Sequence, residues 1–354
     1  MCLPFVPYCL TLTHDTFIVR WGLYESAHKF VGYPIVPGFD VAGTVEQVGS
    51  KVANLRVGDR VFGCTFFGAY SSRILIPASQ LRIIPSNLTT AQAASLPAVT
   101  LTALYALFLA GHYPIPSKFK HRGILIQSAA GGVGSMLVQL SKLLGLSPIV
   151  GVVGRSPKIE TAKALGCDVV IDKSQDDLWE AARAAAPAGF SCVMESNGIA
   201  TLRQSYEHLA MTGRLIVYGF HTNLPMGKDM LSPMECKSAS FGATAIVERH
   251  FYIHSLISVR QQTGIRMAMK QQSMPKFDAM EMGSENKAIL AFNLSFFSEE
   301  QEMFADFFEA VLDWIRQRKL ECPRITEFEG LDKTTEAHEL IQSGQSVGKL
   351  IITL

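Results

Sequence analysis

The chain has 354 residues, 48% of them hydrophobic and 18% charged, with a formal net charge of +1. That length accommodates two domains with large cores, and the near-neutral balance excludes a protein built to hold a polyanion such as nucleic acid. The seven cysteines stand singly with no C-x-x-C pair, which excludes a disulfide framework or a zinc knuckle and points to a reducing, cytoplasmic compartment. A mitochondrial or membrane-peripheral placement stays open.

Residues 1–17 are apolar, carry Pro4 and Pro7, and show no clear periodicity. They lack the basic n-region of a signal peptide. From Val19 the pattern is regular: Arg20-Trp21-Gly22-Leu23-Tyr24, then Pro37 to Gly43, an alternating strand Thr44 to Val48, and a turn at Gly49-Ser50. Val57 to Phe62, Gly68 to Ser72 and Leu75 to Pro77 follow. Short strands punctuated by Gly and Pro predict a compact β-rich domain. Ala93 to Gly111 is free of charge over a length that would cross a bilayer. Ser95, Pro97, Thr100 and Thr102, without flanking basic anchors, predict instead a buried helix where two domains meet. No integral membrane segment is expected. The basic cluster Lys118, Lys120, His121 and Arg122 reads as a solvated loop.

From Ile124 the chain alternates between strand and helix. Strands are predicted at Ile124–Gln127, Ile149–Val153, Val169–Ile171, Ser191–Glu195, Leu215–Tyr218 and Ile289–Leu294. Helices are predicted at Ser135–Leu144, Lys158–Leu165, Asp176–Ala185 and Thr201–Leu209. That order predicts a doubly wound parallel sheet. Residues 221–287, rich in Met, Lys, Gln and Ser, predict an irregular excursion. Glu299–Arg318 predicts an amphipathic helix with Phe304, Phe307, Phe308, Val311, Leu312 and Ile315 on one face. The last strand is Lys349–Leu354.

The first strand of this alternation runs into Ser128-Ala129-Ala130-Gly131-Gly132-Val133-Gly134 and then a helix. This matches the dinucleotide fingerprint with Ala129 in the place of the first glycine. Gly131 lets the backbone approach a pyrophosphate, Gly134 lets the helix pack on the strand, and the helix N-terminus offers free N–H groups. Ala130, Gly131, Gly132, Val133 and Gly134 are therefore cofactor-binding candidates. About twenty residues on, where NAD-binding folds place an acid for the ribose 2′-OH, stands Gly154, followed by Arg155, Ser156, Pro157 and Lys158. Two cations and a hydroxyl suit an adenosine 2′-phosphate, so NADPH is the expected cofactor. The alternative is that Ser156-Pro157 caps the next helix. Asn197, Tyr218-Gly219-Phe220 and Phe292-Asn293, at or just beyond predicted strand ends, are further cofactor candidates, as are Gly348 and Lys349.

Taken together, these stretches resemble the medium-chain dehydrogenase/reductase superfamily, in its zinc-free quinone oxidoreductase branch. The carriers are Arg20 to Tyr24, Pro37 to Gly43, Gly58-Asp59-Arg60-Val61, Gly68 to Ser72, Ala129 to Gly134 and Val347-Gly348-Lys349-Leu350. Its ending is most similar to the quinone reductase-like and vesicle amine transport protein-like members. The resemblance implies a Rossmann doubly wound parallel sheet inserted into a β-rich GroES-like catalytic domain. Residues 1–99 and 298–354 would form the catalytic domain, and 100–297 the NADP-binding domain.

The resemblance also implies an NADPH-dependent, zinc-independent oxidoreductase that passes hydride to a quinone or an α,β-unsaturated carbonyl, working as a homodimer. An enoyl-thioester reductase of lipid or polyketide synthesis is one alternative. A non-catalytic NADPH-binding, membrane-associated or structural protein is the other. No metal is expected, because Gly38-Phe39-Asp40 lacks the histidine of the zinc members' Gly-His-Glu and the four-cysteine lobe is absent. Tyr24 and Tyr70 fall in motifs that border the nicotinamide pocket, where a phenol holds an enolate oxygen or donates a proton. Thr102 and Tyr105 fall on the helix that passes the nicotinamide. Tyr24, Tyr70 and Thr102 are the catalytic candidates, with core packing the alternative for each. His14 and His28 have no metal-ligand spacing and are expected at the surface. Members of this branch carry an Asn-x-x-Asp ahead of Arg-x-Gly-x-Tyr; here Thr13 and Thr16 take those places, and only residues 1–19 precede Arg20. The expectation is that the catalytic domain has lost its first strands, leaving strand edges uncovered.

Overall fold

The computed structural model describes residues 2–113, 123–220, 274–296 and 301–354. Five strands come first: β1 (Cys2–Leu12), β2 (Asp40–Val45), β3 (Arg60–Cys64), β4 (Ile74–Pro77) and β5 (Leu81–Ile83). The middle of the chain supplies β6 (Ile124–Ile126), β7 (Ile149–Val153), β8 (Val169–Asp172), β9 (Phe190–Glu195), β10 (Leu209–Val217) and β11 (Ala288–Ala291). β12 (Ile325–Glu329) and β13 (Lys349–Thr353) close it.

The first and last groups join in one seven-stranded mixed sheet, in the order β12-β13-β1-β2-β3-β5, with β4 paired to β1. The final strand thus returns to the first, with Leu10 opposite Ile352. This corrects two expectations. Residues 2–12 are not irregular but form a strand hydrogen-bonded to β13, β2 and β4, so the expected absence of first strands has no support in the sheet. Pro7 is accommodated at a register shift between Pro7 and Cys9, whereas Pro4 pairs in register with Leu75 of β4; proline within a sheet is confined largely to bulges and edges.

The middle group forms a six-stranded sheet in the order β11-β10-β9-β6-β7-β8, every neighbouring pair parallel. The strand order reverses between β6 and β9, and in such sheets ligands bind outside the strands' carboxyl ends at that switch point. The strands read as apolar runs because helices cover both faces; Ile124, Leu125 and Ile126 are wholly buried.

One core cluster reaches into both sheets, joining Ala42, Phe62 and Ile351 to Ile126, Met194 and Ile216. Between them lie the helices Pro97–Leu109 and Gln301–Arg316. The first is the uncharged stretch of the sequence, broken into Thr90–Ala94, with a Thr89–Gln92 capping box, and Pro97–Leu109, which starts on its proline. It is buried at Val99, Ala103, Leu104, Ala106 and Leu107. Among the described residues no helix is long and apolar enough to cross a membrane. The second buries Phe307, Phe308, Val311, Leu312 and Ile315, and Phe308 meets Phe62 at 5.2 Å between ring centroids.

The basic cluster Lys118 to Arg122 and residues 221–273 of the expected excursion lie outside the described residues. The rest of that excursion is not irregular throughout. Asp278 caps a helix at Ala279–Glu285 that leads into β11. β11 stops at Ala291, so Phe292 and Asn293 begin the following turn rather than ending a strand.

Candidate functional site

The turn after β6 is built as the fingerprint requires. Gly131 N–H donates to Ser128 O at 2.9 Å, and the helix Gly132–Leu143 starts at once. A Cβ on Gly134 would collide with the Ser128 carbonyl and with Ala129 Cα, so only glycine lets helix and turn approach this closely. One on Gly131 would meet Ser128 O at 3.2 Å and nothing else within 4 Å, which leaves its outer side open to a ligand. The turn is also tied to the end of the chain: Gly348 N–H donates to Ala130 O at 2.9 Å, and Gly131 and Gly348 form a parallel bridge.

The opposite wall of the switch point is held by Glu195, wholly buried at the end of β9. Its Oε1 accepts from the N–H groups of Asn197 (2.6 Å) and Gly198 (3.2 Å), and its Oε2 from Thr201 Oγ1 (2.9 Å) and Ser205 Oγ (2.5 Å). A buried carboxylate is tolerated because it is this fully bonded. It places Asn197, whose Nδ2 donates to Gln127 Oε1 at 3.0 Å. Among the described residues Gln127 Nε2 is buried with no partner, a donor left over beside the turn. Beyond β10, Gly219 passes so close to Ser196 that a Cβ would lie 2.7 Å from its carbonyl oxygen, Tyr218 packs on Phe292 at 6.4 Å, and Phe220 is exposed.

The loop after β7 gathers cations. Lys158 Nζ donates to Gly344 O and Ser346 O, both at 2.8 Å, and Arg155 to Ser343 O at 3.1 Å. Burial, with Arg155 and Lys173 nearby, holds the Lys158 ammonium below its ordinary pKa. Arg155 and Lys158 from this loop, with Lys173 from the end of β8, bring three cations together, which suits an anion. A Cβ on Gly154 would meet only Lys173 Cε at 3.7 Å, so the place of the usual acid is open. Ser156 does not cap the following helix; its hydroxyl donates to Asp172 Oδ2 at 2.6 Å. Asp172, at the end of β8, is held below the usual carboxylate range, chiefly by that bond and by Ser174. The open glycine turn, the spare Gln127 amide and the cations beyond β7 are a donor set that fits an anionic dinucleotide.

A second cluster abuts the turn. Lys349 Nζ lies 3.3 Å from Asp40 Oδ2 and donates to Thr11 Oγ1 at 3.1 Å. Thr11 donates in turn to Asp40 Oδ2 at 2.7 Å, and Ala98 N–H to Asp40 Oδ1 at 2.8 Å. The stem of Lys349 reaches the turn: a Cβ on Gly132 would lie 3.0 Å from its Cδ. Asp15 faces the same charges. Burial pushes its carboxyl up to about 6, opposed by Lys349 and reinforced by Asp40. Burial, and next the Asp15 charge, raise the Tyr24 phenol, whose O–H donates to Asn293 Oδ1 at 3.3 Å. Asn293 Oδ1 also accepts from Ser295 N–H at 2.9 Å and Ser295 Oγ at 2.7 Å. Cys64 completes the cluster, its thiol raised by burial and by Asp40.

Tyr24, Asn293, Lys349 and the glycine turn are thus brought to one cleft. Tyr70 is not among them: it is buried, donates to Thr16 Oγ1 at 3.4 Å, and packs on His338 at 6.2 Å. Thr102 bonds back to Ala98 O at 2.6 Å within its own helix. Tyr105 stands edge-on to Phe292 at 4.9 Å, in an aromatic cluster with Phe304 and Phe307. His28 is exposed and donates through Nε2 to Gly22 O at 2.6 Å. The side chain of His14 lies outside the described residues. Asp15, Asp40, Cys64, Asp172 and Glu195 are the residues that sequence reasoning missed. Asp40 alone had a signal, as the acid closing Gly38-Phe39-Asp40. Among the described residues no group of three or more His, Cys, Asp or Glu could hold a metal ion.

Residues 9–86 match the family described as the alcohol dehydrogenase GroES-like domain, and 132–253 the one described as zinc-binding dehydrogenase. The synaptic vesicle membrane protein VAT-1 homolog of Danio rerio is 26% identical over 97% of this chain and 62% of its own length. The 2-haloacrylate reductase of a Burkholderia species is 36% identical over 52% of this chain and 55% of its own. The chain therefore spans less than two thirds of either protein. A crystal structure of Escherichia coli quinone oxidoreductase complexed with NADPH superimposes with a TM-score of 0.74 at 20% identity, over 100% of this chain and 91% of that one. That coverage also gives no support to a lost first part of the fold. The chain belongs to the medium-chain dehydrogenase/reductase superfamily, in the branch of the quinone oxidoreductases and VAT-1-like proteins.

Proposed function

We propose that the chain is an NADPH-dependent oxidoreductase that reduces a quinone or an α,β-unsaturated carbonyl. The observation that carries this is the bridge from Gly131 to Gly348. It ties the phosphate cradle directly to Lys349, and so to Asp40, Asp15 and Tyr24. A dinucleotide seated on Ala130–Gly134 has its reactive end beside a cluster of proton-bearing side chains.

The bound cofactor would supply a hydride. The protein's own part is to hold the dinucleotide, exclude water and manage a proton. Arg155 and Lys158 would exchange their carbonyl partners for the 2′-phosphate. The Tyr24 phenol, kept neutral by its raised pKa, would donate a hydrogen bond to the oxygen on which negative charge develops. Lys349 and Asp40 fix the floor of the cleft. The NADPH complex of the E. coli structure and the haloacrylate substrate named for the Burkholderia relative support both halves of the reading.

The alignment of the Danio vesicle membrane protein along 97% of the chain favours a second reading, an NADPH-binding protein with a membrane-associated role. NADPH-oxidation assays against quinones, enones, enals and enoyl thioesters decide between them. Turnover of quinones or enones is expected. Tight NADPH binding with no turnover of any acceptor would overturn the enzyme reading, and a preference for enoyl thioesters would redirect it.

A further inference from the structure

A series of packed aromatic rings runs outward from Tyr24 to the surface. Tyr24 packs on Phe39 and Phe67, each at 6.1 Å between centroids, and Phe39 lies 4.9 Å from Phe67. Phe67 touches Phe66 at 4.9 Å, Phe66 touches Phe30 at 5.6 Å, and Phe30 touches Phe296 at 5.6 Å. Burial falls along this series: Phe39 and Phe67 are 8% and 4% exposed, whereas Phe66, Phe296 and Phe30 are 36%, 40% and 44% exposed. Three exposed phenylalanines joined through Phe30 are costly to leave in water, and clustered exposed apolar groups mark binding sites. The Lys29 ammonium sits 5.0 Å from the Phe30 ring centroid and 5.5 Å from that of Phe296, which holds both rings in place. Phe296 closes the short turn that begins at Asn293, the partner of Tyr24.

We propose that Phe30, Phe66 and Phe296 form an aromatic gateway that selects flat polycyclic acceptors, naphthoquinones in class, over small aliphatic enals. The inference rests on the oxidoreductase reading and names the acceptor class for that site. A fused-ring quinone offers a π-face to each phenylalanine on its way to Tyr24, and offset or edge-on contacts with aromatic rings add attraction beyond burial alone. A short enal has no ring to stack and little area to bury. Its passage gains nothing from the gateway.

The test uses the full chain, wild type and the Phe30→Ala, Phe66→Ala double variant, with 2-methyl-1,4-naphthoquinone and but-2-enal as acceptors. Each lost ring contact is worth roughly two- to tenfold. The expected result is a fall of about tenfold or more in kcat/KM for the naphthoquinone, carried by KM, against less than about twofold for the enal. Equal losses on both acceptors, or none on either, would overturn the gateway. Equilibrium dialysis of the naphthoquinone without turnover separates this inference from the reading beneath it. If NADPH is not oxidised with any acceptor but the variant still binds the naphthoquinone about tenfold more weakly, the gateway stands and the enzyme reading falls. Unchanged dialysis affinity in the variant overturns the gateway whatever the kinetics.

Discussion

Lys349 Nζ and Asp40 Oδ2 lie 3.3 Å apart, on side chains 3% and 0% exposed, and they are 309 residues apart in the chain. The pair is satisfied on both sides, by Thr11 and by the Ala98 N–H. It fastens the last strand to the second within the mixed sheet, and it stands behind the glycine turn of the parallel one. Breaking a buried pair leaves an uncompensated charge and costs about 3–5 kcal/mol, whereas replacing both partners is often close to neutral. Lys349→Met is therefore expected to destabilise by about 3 kcal/mol or more, and adding Asp40→Asn to recover much of the loss. Guanidinium unfolding of the single and double variants measures this. A Lys349→Met protein as stable as wild type would show that the pair holds nothing.

Cofactor preference follows from the loop after β7. With Gly154 in the acid's place and Arg155, Lys158 and Lys173 around it, NADPH is expected to bind at least about tenfold more tightly than NADH, about 1.4 kcal/mol. Lys158→Ala should remove most of that difference by weakening NADPH alone. Fluorescence titration of both cofactors reads it, and an equal loss of both affinities would assign Lys158 to the loop at Ser343–Ser346 rather than to the phosphate.

Gly134→Ala places a methyl against the Ser128 carbonyl and Ala129 Cα. The turn and its helix must part, at a cost of about 1–3 kcal/mol, and NADPH affinity should fall with stability. Gly283, whose added Cβ meets nothing within 4 Å, is the control position for alanine. Calorimetry on the two variants, with and without NADPH, shows whether the close approach is needed.

Asp15 gives a pH signature. Its carboxyl titrates near 6 in the folded chain instead of near 3.8, so the fold binds a proton that the unfolded chain has released. Stability contributed by this group is present below about 4 and is lost as pH rises through about 6. Asp15→Asn should therefore gain stability relative to wild type as the pH moves from 4 to 7. Urea unfolding across that range checks it; a difference that does not change with pH would contradict the assignment.

How much of this was legible in the sequence depends on distance along the chain. The fingerprint turn and the Arg155–Lys158 loop are contiguous, so their chemistry shows in the spacing, and the helix Gln301–Arg316 announces its buried face by period. The Lys349–Asp40 and Tyr24–Asn293 contacts join segments 309 and 269 residues apart; no local pattern marks them. Asp172 escaped because the acid beside the cation loop arrives from the next strand, through the pairing of Val153 with Asp172. β1 escaped because Pro4 and Pro7 break its alternation, and in the sheet a bulge absorbs Pro7 while Pro4 pairs with Leu75. Tyr70 and Thr102 carry the right side chains, but their hydroxyls are spent on Thr16 and Ala98.

Direct hydride delivery in the Tyr24–Lys349 cleft leaves an isotopic record in the product. NADPH carrying deuterium on the transferable C4 position is mixed with the enzyme and a planar aromatic enone, and the product is read by NMR. Deuterium is expected at the product's β-carbon and solvent hydrogen at its α-carbon, with the rate reduced in Tyr24→Phe. Unreacted enone in the presence of bound NADPH, or a β-carbon without label, would contradict it.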